Sequence, residues 1–533
     1  MANFKPISYL VAALVFITAQ NTFAVGLGDI PNAHRGKFLP EASSLGSVLI
    51  DGEPHLRLRL RHEELDDDIS AGSPIASADR AEQLTARIAA GWTTARYHGF
   101  YFRGEVEVGR PLGSDRALNL DDDFRIPPLG PGPNPIAGNR AFAGHAVIPD
   151  NEYEEFNEVY LGWRSHMGGC PNSPDPCNGN TSAKLGRQEI IYDNHRWVGN
   201  ILWRNNFQSY DAFRFDNTSI KNLSFSYAYL NKVKRTFGEK SIFNEWKMDD
   251  SHLINVSYTF PDIGKLVGYA YLLDFDDNPR TPFVEGTGAA PPFIGPTSYD
   301  SDTIGARWTG KHAIGDSWDL LTEFEWANQD PSNDADDVTT PAPIAVDFED
   351  NDYYNIELGV RFGGTRVDGL GLMPIGEPTF QIKVGQEVLE GGGDGKNAVQ
   401  TPLATFHAFQ GWADKFIAPA GGTDTPRGGI KDTSVNLEIL GLFGSVIGKN
   451  KINIVYHDYE ADKTFTGPNG RISDYGKEWN LLWGKPDLFG MNGLLGAIKY
   501  ANYSEDCGTG AGSDPLICVD TEKFWLMLQY TYQ

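Results

Sequence analysis

His55-Leu56-Arg57-Leu58-Arg59-Leu60-Arg61 alternates without a break. Side chains of a strand point to opposite faces in turn, so the leucines share one face and the arginines, with His55, share the other. A soluble sandwich strand also alternates. Three successive arginines facing a dry core would, however, leave buried charge uncompensated. A wet interior tolerates them, and the leucines then face lipid. The stretch reads as one stave of a transmembrane barrel with its arginines turned toward the lumen.

The same pattern recurs along the chain. Alternating segments lie near 55–65, 83–94, 100–110, 156–167, 183–191, 210–217, 223–237, 252–260 and 265–276. They continue near 301–310, 318–328, 353–363, 380–389, 433–443, 451–460, 475–484, 493–503 and 521–532. That is about eighteen strands, most of them long enough for the ~9–11 tilted residues of a barrel strand. The fold class predicted is all-β, a closed antiparallel transmembrane barrel.

The connections alternate in length. Segments 95–99, 261–264, 315–317, 445–450 and 489–492 are tight turns, whereas 112–155, 277–300, 331–350 and 391–431 are long. Bacterial barrels have short periplasmic turns and long outer loops, with both termini inside, which an even strand count satisfies. The long connections, 112–155 and 391–431 among them, are therefore expected on the outer side. Segments 168–182 and 363–379 are longer than the pattern predicts for periplasmic turns. The last segment places Phe524, Leu526, Leu528, Tyr530 and Tyr532 on one face. It resembles the C-terminal assembly signal of outer-membrane barrels, except that it ends on Gln533.

Composition agrees with this fold. There are 59 Gly, 22 Tyr, 30 Phe and 12 Trp, with only 40% hydrophobic residues, as expected when one strand face meets lipid and the other meets water. Lys5, the apolar stretch 7–18 and Thr22-Phe23-Ala24 read as a secretory signal over 1–24, ahead of a barrel over 25–533. That apolar stretch is shorter than the ~20 residues of a spanning helix, and no later run reaches that length. The expected location is the outer membrane of a Gram-negative bacterium. A net charge of −26 argues against a nucleic-acid partner.

Acidic residues gather in connections, as at Asp66-Asp67-Asp68 and Asp121-Asp122-Asp123. These read as solvated loop charge; a calcium site is the alternative, since carboxylate clusters supply hard oxygen ligands. Cys170 with Cys177, and Cys507 with Cys518, form two local pairs and read as loop-stapling disulfides in an oxidising compartment. No histidine lies within either segment, which disfavours zinc. No cofactor or metal is expected.

The stretch from Lys184-Leu185-Gly186-Arg187-Gln188-Glu189 through Asp193-Asn194-His195-Arg196-Trp197 to Trp203-Arg204-Asn205-Asn206 is too polar for a lipid face. It either caps the barrel or folds into the lumen as a constriction. This stretch, the Leu-Arg-Leu-Arg strand, the strand count and His407-Ala408-Phe409-Gln410-Gly411-Trp412-Ala413-Asp414-Lys415-Phe416 resemble the alginate-export family of outer-membrane proteins. The resemblance spans roughly 55 to 533. It implies a monomeric channel that passively conducts an anionic polysaccharide or oligosaccharide past lumenal arginines; whether a periplasmic export or uptake partner hands the solute over is not legible in the sequence. A uronate polymer carries regularly spaced carboxylates, which arginine binds through two-pronged charge-assisted hydrogen bonds.

By face assignment Arg57, Arg59, Arg61, Arg87, Arg103, Arg164, Arg307, Arg361, Lys383 and Lys499 point inward; Arg187 and Arg204 join them from the family-like stretch. Glu105, Glu107, Glu323, Glu325, Glu357 and Glu438 also point inward, so these cations either contact substrate or brace the wall in salt bridges. His407 and Trp412 form either a sugar-stacking platform or packed loop aromatics. No catalytic constellation is present; His252, Ser257 and His457 are isolated. The competing functions are a general or small-anion diffusion porin and, third, a structural or adhesive barrel.

Overall fold

Alternating sequence has to find edge partners, and a chain with an even number of such strands removes its edges by closing on itself. The computed structural model describes residues 40–68, 80–112, 148, 150, 152–165, 181–239, 241, 244–276, 300–315, 318–331, 349–363, 378–394, 396–417, 425–443, 448–467, 470–507 and 517–532. Eighteen strands carry it. They are β1 Glu53–Asp67, β2 Arg80–Thr93, β3 Phe100–Pro111, β4 Tyr153–Arg164, β5 Thr181–Gln188 and β6 Ser209–Asn217. The middle third is β7 Leu223–Lys234, β8 Glu245–Phe260, β9 Gly264–Leu273, β10 Ser301–Ile314, β11 Trp318–Pro331 and β12 Asn351–Gly363. The last third is β13 Thr379–Glu390, β14 Gly429–Leu440, β15 Lys451–Gly467, β16 Gly470–Lys485, β17 Leu494–Glu505 and β18 Thr521–Tyr532.

Each strand pairs antiparallel with its predecessor. β18 then returns to β1, with Leu56 opposite Tyr532 and Asp67 opposite Thr521. The barrel is closed, and every segment predicted from alternation overlaps one of its strands. Among the described residues no helix is long and apolar enough to cross a membrane; the crossing is made by strands.

Alternation sorts the two faces as expected. Leu60, Phe102, Leu161, Ile304, Trp326, Ile356, Val384 and Leu481 are exposed on the outside, where lipid covers them. Outward aromatics line up across strands toward the short-turn end: Trp318 meets Phe362 at 4.4 Å and Phe362 meets Phe380 at 5.4 Å. Such a row is an interfacial girdle.

Several expectations fall outside the described residues: the signal segment 1–24, Asp121-Asp122-Asp123, the pair Cys170 and Cys177, most of 112–155, and the long connections near 168–182 and 363–379. Cys507 and Cys518 are joined as expected, stapling the connection between β17 and β18.

Candidate functional site

Two connections fold into the barrel from the long-loop end. The first leaves the wall after Gln188, where β5 stops at only eight residues, and returns at Ser209. Its residues are buried almost without interruption. The second runs from the end of β13 to the start of β14 and includes a short 3-10 turn, Phe406–Ala408. This second segment starts and ends at the long-loop end, the outer side expected of 391–431, while its described residues fold into the lumen. The physical reason lies in its side chains: Leu403, Phe406, His407 and Phe416 are buried, and such groups gain more from packing in the lumen than from facing water.

The two segments grip each other. Gly199 N donates to Leu403 O (2.9 Å) and Thr405 N donates to His195 O (3.0 Å). A Cβ at Gly199 would lie 2.1 Å from Thr405 Oγ1, so the approach requires glycine there. The Trp203 and His407 rings stack at 5.1 Å, and Arg204 pairs with Asp414 at 3.2 Å. Together the segments make one packed constriction.

The wall holds this constriction through the residues that first suggested a conducting path. Arg59 donates to the carbonyl oxygens of Leu202 (3.1 Å), Trp203 (3.0 Å) and Arg204 (2.9 Å). Arg61 reaches Trp203 O, pairs with Asp150 and lies 3.3 Å from Glu63. Arg204, on the segment itself, bonds back to Glu63 at 3.2 Å. Arg87 pairs with Glu107 and lies over the Phe207 ring at 4.0 Å. Arg103 pairs with Glu158 and Glu105; Arg57 pairs with Glu105 and lies 3.6 Å from Glu189. Elsewhere on the wall, Glu478 of β16 accepts from Trp412 N and Ala413 N, and Trp197 Nε1 donates to Glu325 of β11 at 3.0 Å. Gly411 (φ +78°) has no room for a Cβ beside the Glu478 carboxylate.

Lys499 lies inside an aromatic box, 3.8 Å from the Trp412 ring, 4.2 Å from Trp203 and 5.5 Å from Trp525. Its ammonium donates to His407 Nε2, while His407 Nδ1 donates to Asp414 at 2.7 Å. Burial, reinforced by Lys499, lowers the imidazole pKa to about 3, so the ring is neutral. Against burial, the His407 N–H, Lys523 and Arg204 hold the Asp414 carboxyl well below the usual carboxylate range. Burial pushes Glu189 upward. His407 and Trp412 are therefore packed components of the constriction, with His407 buried.

Below the constriction, toward the short turns, wall side chains are only half-buried. Arg307 pairs with Glu323 (2.8 Å), Lys383 with Glu357 (2.6 Å), Lys451 with Glu438, Lys311 with Asp319 (3.0 Å), Arg214 with Asp216 (2.8 Å) and Lys265 with Asp193 (3.1 Å). Arg164, Lys184 and Arg361 lie on the same inward face, and no ion pair within 4.0 Å joins them to an acid among the described residues. Lys184 was not singled out from sequence; its parity opposite Leu185 was the available signal.

Arg187 requires a correction. It shares a face with Leu185 and, across the ladder, with Phe213, both exposed outward. Its guanidinium grips Asp211 with two bonds of 2.7 and 2.9 Å on that outer face. Motif membership had placed it in the lumen, whereas counting alternate residues from Leu185 places it outside. His252 faces outward beside Tyr227, while Ser257 on β8 and His457 on β15 face the lumen from separate parts of the wall. Asp66 pairs with Arg80 and Asp67 accepts from Thr521. Two other groupings bring acidic oxygens together: His62, Glu64 and Glu82 outside, and Glu105, Glu158 and Glu189 inside among Arg57 and Arg103.

A closed barrel with an apolar exterior, a girdle and a polar, partly plugged lumen defines an outer-membrane β-barrel. Solved structures agree. Acinetobacter baumannii OccAB2 superposes with a TM-score of 0.56 at 13% identity, covering 92% of this chain and 100% of that one. Pseudomonas aeruginosa OpdL gives 0.54 at 13% identity, over 91% and 99%. The outer membrane protein OpdK from Pseudomonas aeruginosa gives 0.54 at 12%, over 91% and 99%. At such identity the likeness is one of fold. No protein-family model matches the chain, and no curated protein matches it by sequence.

Proposed function

We propose that this chain is a passive channel for small anionic solutes, carboxylate-bearing saccharides or acids, across the outer membrane of a Gram-negative bacterium. One observation carries the reading. In the half-open part of the lumen the six carboxylates named above each have a cation within about 4 Å, the distance at which Coulomb attraction holds an ion pair, whereas Arg164, Lys184 and Arg361 have no such partner among the described residues. The unbalanced charge on the path is positive although the whole chain is acidic. The packed constriction favours short solutes. An alginate-like oligomer belongs to the same chemical class, and a polymer would have to thread between two segments that are bonded to each other. The apolar exterior supports a monomer, and a periplasmic partner remains part of the proposal only as supplier or acceptor of the solute.

Planar-bilayer recording tests this reading. Under a salt gradient the purified protein is expected to show a reversal potential of anion-selective sign, and mono- or oligouronates are expected to block the current. A cation-selective or unselective pore would count against it.

A further inference from the structure

The short-turn end carries apolar side chains where a turn bathed in water would carry polar ones. Phe489 is 83% exposed, Ile50 81%, and Leu49, Ile220, Ile263 and Phe443 are all half-exposed or more. They come from five separate connections spread around the rim: the turn ahead of β1 and the connections β6–β7, β8–β9, β14–β15 and β16–β17. Two of these connections repeat Leu-Phe-Gly, at Leu442-Phe443-Gly444 and Leu488-Phe489-Gly490. In both, the phenylalanine has a positive φ, +56° and +58°, which is costly for a bulky residue.

One of the connections also lies against the outside of the wall. Gly496 faces outward, as Ile498 and its ladder partner Leu528 do, and Leu488 covers it so closely that a Cβ there would meet Leu488 at 2.7 Å. At the strand starts, Trp308 of β10 lies over Gly264 of β9 and Trp92 of β2 lies over Gly52 just ahead of β1, so outward tryptophans of the wall reach down to the rim. The apolar rim is thus continuous with the outward girdle of Phe260, Trp308, Trp318 and Phe362.

We propose that this rim is a lipid-binding crown: the turns seat their apolar tips in the inner-leaflet phospholipid of the outer membrane, with Phe443 and Phe489 among its anchors. Continuity with the lipid-facing wall selects lipid over a protein partner, because a protein docked there would have to displace the lipid beside the girdle. Aromatic and aliphatic groups placed at a bilayer interface gain free energy by leaving water, which offsets the unfavourable backbone at the two phenylalanines.

The test uses the full chain with single cysteines at 489 and 263, in a background carrying Cys170→Ser and Cys177→Ser, labelled with an environment-sensitive fluorophore. The protein is reconstituted in phosphatidylethanolamine/phosphatidylglycerol vesicles. Quenching at least twofold stronger by bromine on the acyl chains than by aqueous iodide, at both positions and independent of protein density, is the expected result. Iodide quenching with no bromine effect would overturn the proposal. Protection from both quenchers that appears only at high protein density would overturn it in favour of contact between copies. A Phe443→Ser/Phe489→Ser variant that folds as a heat-resistant barrel provides a second readout: it is expected to partition less deeply, with stronger iodide quenching at position 263. An unchanged quenching pattern in that variant would also contradict the crown.

Discussion

Arg61 and Arg361 point into the same lumen and have opposite prospects. Arg61 is buried against Glu63, Asp150 and the Trp203 carbonyl, so Arg61→Ala leaves two buried carboxylates to share Arg204, which lies 3.2 Å from Glu63 and 3.9 Å from Asp150. Breaking a buried pair costs about 3–5 kcal/mol. The expected outcome is a constriction that proteases reach and a noisier, larger conductance; an unchanged single-channel trace would show that Arg61 does not hold the segment. Arg187 should behave otherwise. Since it grips Asp211 on the outer face, Arg187→Glu should leave ion preference unchanged while lowering heat resistance in detergent, and the exchange Arg187→Asp with Asp211→Arg should restore it. A change of ion preference in Arg187→Glu would put this side chain back in the lumen. His407 adds a pH dependence. Its folded pKa is about 3 because of burial, then Lys499, against ~6.5 in an unfolded chain. A group whose pKa is lowered on folding contributes fully above its unfolded value and loses that contribution as pH falls. Asp414, also lowered, begins to lose its share only below ~3.9. Between about pH 6.5 and 4, acidification should therefore loosen the constriction through His407, with Glu189, raised by burial, acting in the opposite sense. His407→Gln should flatten the response of proteolysis or conductance to pH across that window; a slope identical to that of the unmodified protein would exclude His407 as its source.

At the scale of elements, strands were legible and inward-folding connections were not. Period-two alternation is imposed residue by residue when one face meets lipid and the other meets water, which is why His55 to Arg61 announced β1 and each later segment could be counted. No comparable rule governs a connection. Length alone placed 391–431 outside; Leu403, Phe406 and Trp412, too apolar for a solvated loop, were the signal that it folds inward. Arg187 was misplaced because motif membership was allowed to override parity. The polar stretch around Trp197 and Trp203 could be narrowed only to cap or constriction, since either environment satisfies its amides. The disulfide was readable from spacing and compartment. Cys507 and Cys518, 11 residues apart, close a short loop, so reduction should cost about 2–3 kcal/mol. Thermal unfolding in detergent with and without reductant measures this; a loss large enough to prevent assembly would contradict the modest stabilisation expected of so short a closed loop.

For the whole molecule the instructive contrast is between total charge and path charge. The chain carries −26, yet its acids are spent in connections and in ion pairs with lumenal cations. On the proposed reading, the charge a solute meets below the constriction comes from Arg164, Lys184 and Arg361, which have no acidic partner within 4.0 Å among the described residues. Field within a narrow lumen acts over distances comparable with the ~8 Å screening length of physiological salt, so three side chains outweigh many distant surface acids. The most direct test is the reversal potential of Arg164→Glu/Lys184→Glu/Arg361→Glu beside that of the unmodified protein, both shown to be heat-resistant barrels. The expected result is an anion-selective potential that collapses or changes sign in the triple variant. An assembled triple variant that keeps the unmodified potential would contradict the assignment of selectivity to these residues, and with it the anionic-solute channel proposed here.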